Sequence, residues 1–423
     1  MFEGHLDKQI SLGTSGFWLL LALFLAALLP SPAHAARREP VTILVSLDGF
    51  RPDYLERGVT PNLSRLARQG VSAAMRPSFP TKTFPNHWTL VTGMRPDRHG
   101  IVGNAMEDPA RPGELFTMAN NDPFWWNGAE PIWAAAERQG VRTATLFWPG
   151  SNVNWGGSKP NTWPKVFEGG TRPQDWWPYQ DEVTATQRVN GLLDWLRRPP
   201  AIRPQFVTLY VHDVDTAGHA YGPDDPRTTA AVAEADQRIG QLLDGLKALK
   251  QRANIVIVSD HGMAATSSER LIVLDELLDP KAFRVIESWT YGPVYPLPGR
   301  EAEVEAALLK PHPHMQCWRK EEIPARLHFG RHPRVAPVLC LAETGWGVAK
   351  ARPTKPRSGG DHGFDNAAPE MLALFVASGP AFRPGVTLPV FDNVDVQPLL
   401  ARLLRIESGQ VDGTAETFRP AMR

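Results

Sequence analysis

The sequence predicts an α/β fold, a doubly wound and mainly parallel sheet flanked by helices, and two observations predict it. Short apolar and β-branched runs alternate along the chain with segments of helical period, as strands and crossover helices do in such sheets. With 42% hydrophobic residues among 423, the chain also has the apolar content to bury a large core.

The strand candidates are 41–47, 143–147, 206–211, 254–259 and 371–377. Between them lie helix candidates at 61–69, at 131–139 ended by Gly140, and along the amphipathic stretch 225–250, with a final helix beginning near Asp395. Residues 265–355 break the alternation with Pro- and His-containing segments, a short charged helix near 300–309 and hairpin-like runs at 335–346. Because the alternation resumes afterwards, this stretch reads as a small inserted subdomain beside the main sheet.

Residues 1–35 read as a signal peptide, leaving 36–423 as the mature domain. The apolar run 17–29 is too short to span a bilayer comfortably, and Ser31-Pro32-Ala33-His34-Ala35 fits a small-x-small cleavage pattern with the cut after Ala35. Lys8, the only Lys or Arg ahead of that run, is opposed by Glu3 and Asp7, which leaves an uncleaved anchor as the alternative. Cleavage predicts a periplasmic or secreted protein without a stable membrane span. Export would permit the two cysteines, Cys317 and Cys340, to pair; two buried thiols are the other reading. His312 and His314 lie close to Cys317, but without a CxxC pair a thiolate-rich structural zinc site is not expected.

Lys plus Arg and Asp plus Glu number 45 each, so no net field marks nucleic-acid polymers as partners and a charged ligand needs a local site. Tryptophans concentrate in one part of the chain, at Trp125, Trp126, Trp148, Trp155, Trp163, Trp176 and Trp177. The clustering predicts loops with large apolar side chains near a substrate mouth, against ordinary core packing for any one of them.

In open α/β sheets ligands bind beyond the carboxyl ends of the strands. Asp48 follows the first strand candidate, Asp213, Asp215 and His219 follow the third, and Asp260 and His261 follow the fourth, while Asp361, His362 and Asp365 come just before the last. Four segments thus bring hard oxygen and imidazole nitrogen donors to one sheet edge. Asp and His without Cys is the donor set of hydrolytic rather than structural metal sites. A hydroxyl candidate lies in Lys82-Thr83-Phe84-Pro85-Asn86-His87, ahead of a helical run at 89–94. There Thr83 either meets a phosphate at the helix N-terminus, or it or Thr81 caps the helix.

The run from Asp48-Gly49-Phe50-Arg51 through Lys82-Thr83-Phe84-Pro85-Asn86-His87 to His99-Gly100-Ile101-Val102-Gly103-Asn104 resembles the nucleotide pyrophosphatase/phosphodiesterase family of the alkaline phosphatase superfamily. The resemblance continues through Asp215-Thr216-Ala217-Gly218-His219, Ser259-Asp260-His261-Gly262-Met263 and His362-Gly363-Phe364-Asp365-Asn366. It implies an alkaline-phosphatase-like fold, two zinc ions as cofactors, and a small-molecule phosphodiester, most naturally a nucleotide, as substrate. One zinc would be held by Asp215, His219 and His362, the other by Asp48, Asp260, His261 and the oxygen of Thr83, the nucleophile. Asp213, Asp361 and Asp365 fall outside these ligand sets. Asn104 would donate a hydrogen bond to a phosphoryl oxygen. A Thr nucleophile with a neutral Asn, where related monoesterases use Ser with an added Arg, implies preference for diesters, with Lys82 as a counter-indication because it could also meet a phosphate. A base would stack between Phe84 and an aromatic downstream of Trp148-Pro149-Gly150. An ungapped count brings Val166 to that place; counting back from the helix around Arg188 points to Tyr179, with Trp163 and Phe167 in reserve. His212-Asp213-Val214 stands where the family often has two Glu and a Pro. Some relatives act on phospholipid or phosphocholine diesters with the same metals, and that is the rival substrate class.

Overall fold

The computed structural model describes residues 38–158 and 168–423, together with Met1. The leader, its cleavage site, Trp163, Val166 and Phe167 lie outside the described residues. The chain divides into two units, Met1–Glu39 and Pro40–Arg423, and every element below belongs to the second.

A nine-stranded sheet organises that unit. Its strands are β1 (Val41–Leu47), β2 (Val71–Arg76), β3 (Thr143–Leu146), β4 (Asp175–Trp177), β5 (Phe206–Val211), β6 (Ala253–Val258), β7 (Ala373–Ser378), β8 (Val386–Thr387) and β9 (Phe391–Asp392). They lie in the order β8-β2-β7-β6-β1-β5-β3-β4, with β9 also against β2. The central block β6, β1, β5, β3 is parallel, and β1 and β5 are buried at every residue. Strands covered on both faces carry unbroken apolar runs, which is why the sequence announces them.

Helices α1 (Pro61–Gln69), α2 (Thr83–Thr92), α3 (Ile132–Arg138), α4 (Ala185–Arg197), α5 (Asp213–Tyr221), α6 (Pro226–Ala248) and α7 (Val396–Leu404) surround the sheet. One apolar layer gathers α1, α4 and α6 with Ile43, Val45, Val207 and Ile257 on one side of the sheet. The other gathers α2, α3 and α7 with Leu44, Val256 and Phe375.

Several expectations shift on meeting the structure. β2 reads Val-Ser-Ala-Ala-Met-Arg, low in β-branched and aromatic residues, and gave no strand signal. β7 runs antiparallel to both of its neighbours, so the residues that precede it reach the edge where β1, β5 and β6 end. The helix expected from 89 begins at Thr83, with Lys82 at its N-cap and no side-chain cap bond. Pro85 in its first turn is tolerated because the early N–H groups have no helical partner. Nine of its ten residues are buried, so no polar stripe marked it as a helix.

Within 265–355 a separate antiparallel sheet runs Phe283–Val285, Tyr291–Pro296, Val338–Ala342, Met315–Arg319. The charged helix is Glu301–Leu308. The segment at 335–346 is not a local hairpin: Val338–Ala342 pairs with the two earlier strands. Cys317 and Cys340 face each other across one of these pairs with Cα atoms 4.0 Å apart and are joined as a disulfide.

Candidate functional site

Three strand ends and one loop supply the site. β1 runs into Asp48, β5 into His212 and the helix carrying Asp215 and His219, and β6 into Asp260 and His261, while His362 follows the short strand Ser358–Asp361. Asp215 and His219 are four apart on α5 and so share a face, with His219 Nε2 3.4 Å from Asp215 Oδ1.

All three imidazoles are oriented alike. Nδ1 lies 2.9 Å from the Gly360 carbonyl in His219, 2.8 Å from the Thr81 carbonyl in His362, and 3.0 Å from the Gly262 carbonyl in His261. A carbonyl can only accept, so each ring carries a proton on Nδ1 and turns Nε2, the nitrogen a metal ligand would offer, toward the carboxylates; burial works against a charged His261, but Asp260 raises its pKa. His362 Nε2 then stands 3.1 Å from His219 Nε2 and 3.7 Å from Asp215 Oδ1. His261 Nε2 is 3.0 Å from Asp260 Oδ2, 3.4 Å from Asp48 Oδ1 and 3.2 Å from the Thr83 hydroxyl.

Asp48 Oδ1, Asp215 Oδ1 and Asp260 Oδ2 are buried without a hydrogen-bond partner among the described residues. Buried polar atoms are ordinarily paired, and three orphaned carboxylate oxygens converging on imidazole Nε2 atoms fit cations. Two ligand groups can be traced, Asp48-Asp260-His261 and, by the mutual distances above, Asp215-His219-His362, and they grade into one another through Asp215, His261 and His362. Burial and the nearby Asp260 and Asp215 charges push the Asp48 carboxyl well above the usual carboxylate range. Burial also raises Asp215. It works against ionised Asp260 too, yet His261 and His87 hold that group well below the usual range. Burial, His261 and Lys82 lower His362.

Thr83 sits at N1 of α2, in the wall of a cavity of about 760 Å³. Thr81 does not cap the helix; its hydroxyl donates to the Phe364 carbonyl and accepts from Gly363 N–H. Asn104 Oδ1 accepts the Phe84 N–H at 3.0 Å, which leaves the amide NH₂ as the donor on offer. Phe84, Asn104 and Tyr179 all line the cavity. Among the tryptophans, Trp126 and Trp148 also reach it, while Trp125 is core and Trp177 packs on Trp195 at the surface. The cluster is thus chiefly core packing, shared with Trp88 and Trp133.

Of the acids outside the expected ligand sets, Asp365 pairs with Arg326 and Asp213 faces a separate groove beside Glu234 and Arg238. Asp361 lies close in, accepting the His362 N–H at 2.8 Å and grouped with His219 and His362. Two further neighbours, not expected from the sequence, complete the surroundings of the site. Tyr210 donates its hydroxyl to Asp48 Oδ2 at 2.6 Å. His87, one turn after Thr83, places Nδ1 2.9 Å from the Thr83 carbonyl and 3.3 Å from Asp260 Oδ2; its i,i+4 spacing was the available signal.

Residues 42–365 match the family model for type I phosphodiesterase / nucleotide pyrophosphatase. A bis(5'-adenosyl)-triphosphatase of Xenopus laevis is 37% identical over 379 residues, 89% of this chain and 80% of the relative. Human ectonucleotide pyrophosphatase/phosphodiesterase family member 5 is 35% identical over 408 residues, 95% of this chain and 82% of the relative. The solved structure of murine ectonucleotide pyrophosphatase/phosphodiesterase 5, an inactive threonine-to-alanine form in complex with AMP, matches with a TM-score of 0.84 at 32% identity, covering 91% of this chain and 100% of that one. Agreement of this kind along nearly the whole of Pro40–Arg423 makes the chain a member of the type I phosphodiesterase / nucleotide pyrophosphatase family, and so a phosphodiester and pyrophosphate hydrolase.

Proposed function

We propose that the protein uses two zinc ions to hydrolyse phosphodiester and pyrophosphate bonds of nucleotides, releasing nucleoside 5'-monophosphates through a covalent intermediate on Thr83. The carrying observation is the placement of the Thr83 hydroxyl, 3.2 Å from His261 Nε2 and in the wall of the cavity. A hydroxyl there shares its position with the Asp48-Asp260-His261 donors. The ions, when bound, supply Lewis-acid charge and lower the pKa of an oxygen held against them. Asp48, Asp260, His261 and Thr83 would hold one, and Asp215, His219 and His362 the other.

Thr83 Oγ1 attacks phosphorus, the P–O bond to the departing group breaks, and a threonyl phosphodiester forms. Water then cleaves the Thr83–phosphorus bond and frees the monophosphate. The Asn104 amide, fixed by the Phe84 N–H, donates to a nonbridging oxygen as its charge grows. His87 holds the first turn of α2 through the Thr83 carbonyl. Phe84 and Tyr179 supply aromatic surface for a base. The bis-adenosyl substrate named for the Xenopus relative and the AMP held by the murine one support a nucleotide, and inactivation of the latter by a threonine-to-alanine change supports a threonine nucleophile. Residues 1–35 act as a cleaved leader that exports the chain to the periplasm or beyond; the disulfide supports an oxidising destination. Among the described residues no helix is long and apolar enough to cross a membrane.

The test is steady-state turnover of the zinc-replete mature chain on p-nitrophenyl thymidine 5'-monophosphate, p-nitrophenyl phosphate and p-nitrophenyl phosphocholine, with Thr83→Ala alongside. A dominant rate on the thymidine ester, lost in Thr83→Ala with zinc still bound, is the expected result. Dominance of the phosphocholine ester would overturn the nucleotide assignment, and full activity of Thr83→Ala the nucleophile.

A further inference from the structure

Lys82, the residue before Thr83, is a buried cation that is not among the residues lining the cavity. Its ammonium lies 3.5 Å from Asp361 Oδ1 and 3.9 Å from Glu287 Oε1. Glu287 belongs to the stretch read as an insertion, and its other oxygen accepts the Asn104 N–H at 3.1 Å, the Ala105 N–H at 3.4 Å and the Tyr291 hydroxyl at 2.8 Å. Asp361 in turn accepts the His362 N–H and, on its second oxygen, Arg357 at 3.1 Å. Three lining residues, Thr83, Asn104 and His362, are therefore backed by one charge network. Glu287 and Asp361 together balance Lys82 and the half-exposed Arg357.

We propose that Glu287 is a positioning and specificity-determining residue: with Asp361 it neutralises Lys82 behind the wall that faces phosphate, and so holds the site to singly charged diesters against doubly charged monoesters. The proposal rests on the reading of Thr83 as nucleophile and answers the objection Lys82 raised in the sequence. A diester phosphate carries one negative charge and a monoester close to two at neutral pH. An uncompensated ammonium one residue from the nucleophile would favour the second, and a salt-bridged one does not. Glu287 at the same time anchors the backbone that presents the Asn104 amide.

The experiment is a double-mutant cycle on the zinc-replete chain with wild type, Glu287→Gln, Lys82→Met and the double variant. It reads the ratio of kcat/KM on p-nitrophenyl phosphate to that on p-nitrophenyl thymidine 5'-monophosphate, and the affinity for inorganic phosphate by calorimetry. Gln keeps an acceptor for the Asn104 and Ala105 N–H groups but removes the charge. Glu287→Gln should raise the monoester-to-diester ratio roughly tenfold and tighten phosphate by a similar factor. Lys82→Met should lower the ratio, and the double variant should return it near wild type. A ratio and a phosphate affinity unchanged in Glu287→Gln, or a raised ratio that survives removal of Lys82, overturns the proposal. Should Glu287→Gln fail to fold, Lys82→Met decides alone, a lowered ratio supporting the idea and an unchanged one sinking it. Lack of Thr83-dependent turnover in wild type would instead defeat the proposed function, and phosphate affinity would still judge Glu287.

Discussion

Buried charge is treated in opposite ways at two places in this molecule. Around Arg334 every charged atom has a partner: Nε donates to Asp108 Oδ2 at 2.6 Å, Nη1 to the Gly100 and Trp125 carbonyls, and Nη2 to the Phe124 carbonyl. Asp108 Oδ1 accepts the Ala110 N–H. Around Asp48 three carboxylate oxygens have no hydrogen-bond partner among the described residues. The first arrangement is complete as folded, whereas the second fits a cation supplied from outside. Removing a member should therefore cost stability at one place and turnover at the other.

The largest effect expected is on the catalytic side. Asp48→Asn should lower turnover on p-nitrophenyl thymidine 5'-monophosphate on the order of 10³-fold or more. The metal-free chain should lose no stability. Because burial, Asp260 and Asp215 raise the Asp48 pKa, the folded state holds a proton the unfolded chain releases, and ionisation destabilises the apo fold as pH rises above the ordinary carboxylate value. Asn removes that liability. Thermal unfolding of both chains in chelator at pH 7 checks this, and a markedly lower Tm for Asp48→Asn would erase the contrast between the two regions.

Arg334→Met is the counterpart. It leaves Asp108 buried without its countercharge, a change that typically costs about 3–5 kcal/mol. Urea unfolding should show that loss, while kcat/KM of the folded fraction stays within about threefold of wild type. A large fall in kcat/KM at unchanged stability would place Arg334 in the active-site machinery instead.

The same contrast explains what the sequence disclosed. Asp48, Asp215, Asp260 and His261 stand directly after strands, and β1, β5 and β6 are so thoroughly apolar that their ends are local signals. His362 was legible only as a ligand type before a strand; that it reaches the same edge depends on β7 running antiparallel, which no local pattern encodes. Thr83 was ambiguous between cap and nucleophile because α2 is buried on nearly all sides and has no polar stripe to fix its start. Glu287 gave no signal, since its partners Lys82 and Asn104 lie some two hundred residues away and meet it through the sheet built by 283–342. Pairing of Cys317 with Cys340 likewise depends on strand register, visible only once Met315–Arg319 lies against Val338–Ala342.

His99 sharpens the comparison with a buried group that is complete while neutral. Its Nδ1 accepts the Ile101 N–H at 3.1 Å, and Nε2 lies 3.0 Å from the Thr89 hydroxyl and 3.2 Å from the Pro85 carbonyl. Burial pushes its pKa down to about 3 from an ordinary 6.5. Between those values the unfolded chain binds a proton that the folded chain refuses, so the contribution of His99 is whole above pH 6.5 and is lost as pH falls, at about 1.4 kcal/mol per unit. Wild type should surrender about 2 kcal/mol more than His99→Gln between pH 7 and pH 5 in urea titrations. An equal loss in both would show that His99 titrates normally.

The smallest effect concerns the two aromatic cavity residues, which repeat the contrast without charge. Phe84 is wedged against Phe116 and Trp126, held by the fold whether or not a ligand is present. Tyr179 is 46% exposed, touching Phe147 edge-on at 5.8 Å and donating its hydroxyl to Asp181; burial and that carboxylate push its pKa up to about 12. A neutral, half-exposed ring leaves aromatic surface for a ligand to cover. Stacking of a base on an aromatic is worth about 1–3 kcal/mol, so Tyr179→Ala should raise KM for p-nitrophenyl thymidine 5'-monophosphate roughly tenfold with kcat little changed. Tyr179→Phe, which keeps the ring, should retain most of the affinity. p-Nitrophenyl phosphate has no base, and its KM should not move. If both substrates shift together, Tyr179 supports the shape of the cavity rather than the base, and the loop that carries it belongs with the completed parts of the fold.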